Sequence, residues 1–76
     1  MEVTSIMFLI NAKKDDLVKA LKNDERIEEY DMEDLDKEDN RKDVMIILKT
    51  PINHKYLGEM LSSLVDGVEQ GTVQVE

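Results

Sequence analysis

The chain of 76 residues has no cysteine. It therefore has no disulfide framework, no thiol nucleophile and no cysteine-held zinc, copper or iron–sulfur site. Histidine occurs once, as His54, which excludes a multi-histidine metal cage within one chain. That single imidazole gives no basis for assembling a catalytic triad. Glycine occurs three times, and never in a loop of the kind that cradles phosphate. Aromatic residues are limited to Phe8, Tyr30 and Tyr56. An RNA-reading sheet needs stacking aromatics and basic residues on its open face, so that class is disfavoured. The longest apolar run is Ile6–Ile10, far short of the roughly 20 residues a membrane span requires. The acidic start Met1-Glu2, with no small-residue cleavage site after it, does not read as a signal peptide, and a cytoplasmic location is expected.

What the chain does have is acid, in one place. The net charge is −8, from 10 basic and 18 acidic residues. Residues 24–39 contain ten acids (Asp24, Glu25, Glu28, Glu29, Asp31, Glu33, Asp34, Asp36, Glu38 and Asp39) against two bases, Arg26 and Lys37. That segment alone carries −8; the other 60 residues hold eight charges of each sign. Direct nucleic-acid binding needs the opposite sign, because affinity comes from neutralising phosphates. An anionic membrane surface is disfavoured on the same ground. A basic protein partner suits the field.

Hydrophobic periodicity divides the chain into six elements. Val3–Ile10 is rich in β-branched residues and apolar on both faces over Ile6–Ile10, which marks a central strand. Asn11 is placed to cap a short amphipathic helix over 12–23, with Leu17, Val18 and Leu21 as its apolar face. Asp15 and Asp16 lie early and Lys19 and Lys22 late, which suits the helix dipole. Residues 27–35 fit either a sparse helical face or a strand in which Tyr30 and Met32 alternate with acids. Residues 36–43 form a polar turn, and Val44–Leu48 is a second strand apolar on both faces. Thr50-Pro51 reads as a helix N-cap and first-turn proline, followed by an apolar stripe from Ile52 to Val65. Gly67 is placed as the helix-ending glycine, and Val68–Val75 closes the chain as a strand. Reading 27–35 as a strand gives β-α-β-β-α-β, with the two apolar strands central and the charged one at an edge, where charge blocks aggregation. The expected fold is a single α+β domain over residues 1–76, a ferredoxin-like four-stranded antiparallel sheet with two helices on one face.

Two helices cover only one face of such a sheet. Ile6, Phe8, Ile10, Val44, Ile46 and Leu48 are assigned to the helix side. Met7, Leu9, Met45 and Ile47 are then left on the open face, beside Met32 or Tyr30. A contiguous exposed apolar patch marks an interface, and self-association as a homodimer through these four residues is the expectation. Scattered exposed apolar residues are also ordinary, which is the plainer reading.

The acids likewise admit two readings. A solvated edge and hairpin is the commoner use of a charge run. The functional reading is a docking surface for a basic protein, carried by Glu29, Asp31, Glu33, Asp34, Asp36, Glu38 and Asp39. The series Asp34, Asp36, Glu38, Asn40 resembles a calcium loop only superficially. The glycine it needs is Asp39, and its twelfth position is Met45 rather than an acid. His54, Ser62 and Ser63 read as helix surface, and no metal, cofactor or catalytic residue is assigned. The sequence thus predicts a non-enzymatic interaction or regulatory module, a role that includes inhibition of a nucleic-acid-handling protein or service as a phage or mobile-element accessory. The alternative is a ligand- or cation-sensing domain that binds at a dimer seam. Its first strand–helix turn, Asn11-Ala12-Lys13, lacks the glycine such domains often use.

Overall fold

The computed structural model describes residues 2–36 and 38–76; Met1 and Lys37 lie outside that description. In chain order the elements are β1 (Glu2–Asn11), α1 (Lys14–Asn23), β2 (Ile27–Asp34), β3 (Arg41–Asn53), a 3-10 turn (His54–Tyr56), α2 (Leu57–Leu64), a second 3-10 turn (Gln70–Thr72) and β4 (Gln74–Val75). The strands form one four-stranded antiparallel sheet in the order β2-β3-β1-β4, so the charged strand is an edge and the apolar strands β1 and β3 are central. The chain is a small α+β protein, and residues 27–34 are strand.

The core is built where alternation places it. Ile6, Phe8 and Ile10 of β1 and Val44, Ile46 and Leu48 of β3 are all buried and share one cluster. Leu17 and Leu21 of α1 and Leu57, Met60 and Leu61 of α2 complete that cluster from above. Both helices therefore lie over the same side of the sheet. Burying each large aliphatic side chain is worth about 1.5–3 kcal/mol.

Four boundaries differ from the sequence expectation. Asn11 does not cap α1. It ends β1, its side chain donates to Asp39 Oδ1 at 2.9 Å, and the helix starts after Lys13, which makes no side-chain cap bond. The chain stays tied to the β2–β3 hairpin for one more residue through Ala12 N to the Asn40 carbonyl, 3.1 Å. The charges at the ends of α1 fall as expected, with Asp15 and Asp16 in the first turn and Lys22 in the last.

The second helix does not begin at Thr50-Pro51. β3 runs through both residues, pairing Ile52 with Val3 and Asn53 with Glu2 after a register shift that absorbs residues 48–51. β2 pairs with β3 only as far as Leu48, so no neighbour on that side requires an N–H from Pro51. Asn53 supplies the cap instead, its Oδ1 accepting from Lys55 N at 3.1 Å at the start of the 3-10 turn. Of the expected apolar stripe, Ile52 is on β3 and Tyr56 is exposed; only Leu57, Met60 and Leu61 are buried.

The last strand shrinks to Gln74–Val75, yet residues 67–76 still track the outer side of β1. Asn11 N donates to the Gly67 carbonyl (3.1 Å), Glu69 N to the Leu9 carbonyl (2.8 Å) and Leu9 N to Thr72 Oγ1 (2.9 Å), while Ser5 and Glu76 exchange backbone bonds. A hydroxyl thus stands in for a strand carbonyl beside Leu9. Gly67 also has a different reason from the one expected. α2 ends with Val65 as its C-cap, and Gly67 lies beyond it at φ +91°, where a Cβ would collide with the Asn11 carbonyl oxygen.

Candidate functional site: the open sheet face

Register settles which side chains share the uncovered face. Met7 pairs with Met45 on β3 and with Gln74 on β4, and Met45 pairs with Asp31 on β2. One row across the sheet is therefore Asp31, Met45, Met7, Gln74. The row on one side is Glu33, Asp43, Leu9, and on the other Glu29, Ile47, Ser5. Neighbouring strands lie about 4.8 Å apart and same-face residues along a strand about 6.6 Å apart. An acidic column on β2 thus runs directly beside an apolar strip on β3 and β1.

Met7, Leu9, Met45 and Ile47 are brought together on this face. Met7 is 42% exposed, and the other three are half-buried. Their neighbours on β2 are not those expected. Tyr30 and Met32 pair with Ile46 and Val44 and pack partly buried against the core, on the helix side. The residues beside the apolar strip are Glu29, Asp31 and Glu33. A shallow depression of about 170 Å³ forms there, with Met7 and Met45 among its walls and Asp31, Glu33 and Asp43 around them.

The remaining predicted docking residues are dispersed. Asp34 pairs with Lys42 across the sheet, its Oδ1 3.7 Å from Lys42 Nζ. Asp36 Oδ1 accepts from Glu38 N at 2.9 Å, and Asp39 Oδ1 accepts from Asn11 Nδ2 and from Asn40 N at 2.7 Å, so both shape the hairpin turn. Glu38 is exposed without joining the column. At the α1–β2 turn, Asp24 is held by Arg26, whose Nε donates to Oδ1 at 2.9 Å. The Arg26 side-chain hydrogen bonds hold the Asp24 carboxyl below its ordinary value against the opposing cost of burial, helped by the Arg26 backbone N–H and charge. The uniform acidic run of the sequence is thus divided in space: part closes turns, part is neutralised, and Glu29, Asp31 and Glu33 form an ordered column.

No family model, curated protein or solved structure matches the chain. What the site can do must come from its own geometry. Among the described residues, no group of three or more His, Cys, Asp or Glu side chains is placed to share a metal ion. No helix among them is long and apolar enough to cross a membrane. His54 sits exposed in the first 3-10 turn. A hollow of about 380 Å³ between β3 and α2 contains Arg26, but its guanidinium is already bonded to Asp24 and, at 3.3 Å, to Ser63 Oγ.

Two residues escaped the sequence reading. Asp43, placed in the polar turn, extends β3 and adds a fourth carboxylate to the face, directly opposite Glu33. Lys42 is only 3% exposed, and its Nζ donates to the Ala12 carbonyl (2.8 Å) and the Asn40 carbonyl (3.1 Å). The signal was available: extending the alternation of Val44–Leu48 back by two residues puts Lys42 inward and Asp43 on the open face.

Proposed function

We propose that this chain is a small non-enzymatic binding module whose open sheet face docks a basic protein segment. The observation that carries this is the register that sets Glu29, Asp31, Glu33 and Asp43 on the same face as Met7, Leu9, Met45 and Ile47. A lysine or arginine has an apolar stem and a charged head. Laid across this face, its stem rests on the methionine strip and its head reaches the carboxylates one strand away. Methionines adapt to the partner's shape at low cost, and the acid column speeds encounter and selects sign. Proteins that handle nucleic acids carry such basic surfaces, and occupying one would inhibit it. We also read the β-α-β-β-α-β order as ferredoxin-like; its support is the central placing of β1 and β3.

Self-association uses the same four apolar residues, and the exposure of Met7 at the centre of the face favours it as a second reading. Two stacked copies must then offset their acid columns. Ligand or cation sensing has less support: the Arg26 guanidinium beside the hollow between β3 and α2 is already paired with Asp24, and no group of three or more ligating side chains among the described residues is placed to share a metal ion.

The test is titration of poly-lysine by calorimetry at several salt concentrations. Binding is expected, falling steeply with salt, and largely lost in the combined variant Glu29→Gln, Asp31→Asn, Glu33→Gln. A control that neutralises the exposed residues Glu2, Glu59 and Glu76 removes the same charge elsewhere. Equal loss in both variants would show that only net charge matters and would refute a defined site. Light scattering of the free protein reads the second use: a dimer dissociated by Met7→Lys supports it, and a monomer at high concentration removes it.

A further inference from the structure

On the outer side of β2 the sheet has no further strand among the described residues. The phase of this edge is fixed at the hairpin, where Leu35 N donates to the Arg41 carbonyl at 3.1 Å. In an antiparallel ladder, residues that exchange bonds with the neighbour alternate with residues that do not. Counting back from Leu35, Glu33, Asp31 and Glu29 turn their backbone groups toward β3, opposite Asp43, Met45 and Ile47. Tyr30, Met32 and Asp34 turn theirs outward. The bond from Met32 N to Asp31 Oδ1, 2.9 Å, agrees with this phase, because that amide is satisfied by a side chain rather than by β3.

We infer that this edge accepts an extended segment of a basic protein partner as an added antiparallel strand, with lysine or arginine at every second residue. The inference rests on the docking reading above for its acid column, and it seats the cations at the outer side of that column rather than across the methionine strip. In the added strand, residues bonded to Tyr30, Met32 and Asp34 turn their side chains to the helix side, beside the half-buried Tyr30 and Met32. The residues between them lie opposite Glu29, Asp31 and Glu33 in the narrow, non-bonded pairs, where Cα atoms approach to about 4.5 Å and side chains are closest. Those are the positions that need positive charge. As the strand arrives, Met32 N exchanges the Asp31 carboxylate for a backbone carbonyl, and Asp31 is released to pair with the incoming cation. Pairing β2 with β2 of a second copy is ruled out by the same geometry, since it would set the carboxylates of one column against those of the other. Main-chain bonds then supply affinity and the alternating carboxylates supply selectivity.

The experiment uses the intact protein and peptides of alternating lysine and threonine, each long enough to span Ile27–Asp34. One peptide is unmodified, one is N-methylated at the threonines, one is N-methylated at the lysines, and one has the same composition with its lysines in a block. Calorimetry is expected to show one unmodified peptide bound per chain, with similar affinity for the lysine-methylated form, whose altered amides point to solvent. The threonine-methylated and block peptides are expected to bind about tenfold or more weakly, because they lose main-chain bonds or charge register. If the lysine-methylated form is the one that fails, the strand adds in parallel and the antiparallel pairing is overturned. If all four bind alike, strand addition is overturned while docking by charge stands. If none binds at low salt, the docking reading itself falls.

Discussion

Replacing Lys42 by methionine isolates the cost of losing a buried donor. The ammonium is enclosed at the point where β1, the hairpin and β3 meet, and its bonds to the Ala12 and Asn40 carbonyls tie the three together. Methionine keeps most of the stem, so packing changes little while the charge and its donors are removed. A hydrogen bond to a charged group contributes about 1.5–3 kcal/mol, and an acceptor left unpaired costs about as much. The Asn40 carbonyl keeps a second bond, from Ala12 N at 3.1 Å, so the loss falls mainly on the Ala12 carbonyl. Against it stands the relief of no longer burying an ammonium. The net expectation for Lys42→Met is a loss of about 1–3 kcal/mol. A domain of this size has a total of about 4–11 kcal/mol, and with a urea dependence of about 1 kcal/mol per molar the midpoint should fall by about 1–3 M. Circular dichroism at rising urea reads it directly. Asp34 is 64% exposed and 3.7 Å from the ammonium, so Asp34→Asn should cost under about 0.5 kcal/mol. A midpoint for Lys42→Met equal to or above that of the parent would refute the reasoning and show that desolvation outweighs the bonds.

Gly67→Ala should destabilise by about 1–3 kcal/mol, since it combines a positive φ with a collision against Asn11, whereas Gly71→Ala, with open space around its Cβ position, should be near neutral in the same melts. The Asp24 carboxyl titrates below its ordinary value when folded, so its contribution is complete above the unfolded value and disappears as pH falls through the folded one. Asp24→Asn should therefore be less stable than the parent near neutrality, and the two should converge in acid; a constant difference at every pH would exclude this origin. Glu33 and Asp43 oppose each other directly, so Glu33→Gln should raise stability by about 0.2–1 kcal/mol at low salt, with the gain shrinking as salt screens the pair. A gain independent of salt would mean that packing, not repulsion, is responsible.

The sheet was legible because its signals are local. Alternation within Ile6–Ile10 and Val44–Leu48 divides buried from exposed side chains without knowledge of the partners, and the acids between Ile27 and Asp34 are tolerable only at an edge. The starts of the helices were less legible because capping is a contest between neighbours. Asn11 and Thr50 are good caps in isolation, yet both lie in strands set by pairing that spans 30 or more positions: Asn11 pairs with Arg41, and Thr50 sits in the shifted stretch just before Ile52 and Asn53 pair with Val3 and Glu2. The composition of the uncovered face is legible only in part. Its apolar half follows from alternation alone, whereas its acid column needs the register between β2 and β3, and the bulge between Ile27 and Glu29 is what fixes which acids face outward. Lys42 was missed because a lone lysine beside a turn carries no mark of burial; only its phase on β3 gives it away.

The replacement of a regular edge by the Gly67–Glu76 trace gives the sheet two seams of unequal strength. On one flank, β1 is knitted to β3 by a long, nearly continuous ladder; on the other it is basted by separate bonds to Gly67, Glu69, the Thr72 hydroxyl and Glu76 around a two-residue ladder. Thermal breathing should therefore unpick the second flank first, uncovering Ser5, Met7 and Leu9 amides while Ile6, Phe8 and Ile10 remain locked to their neighbour. The molecule can loosen along one side of its central strand without surrendering the acid-lined side.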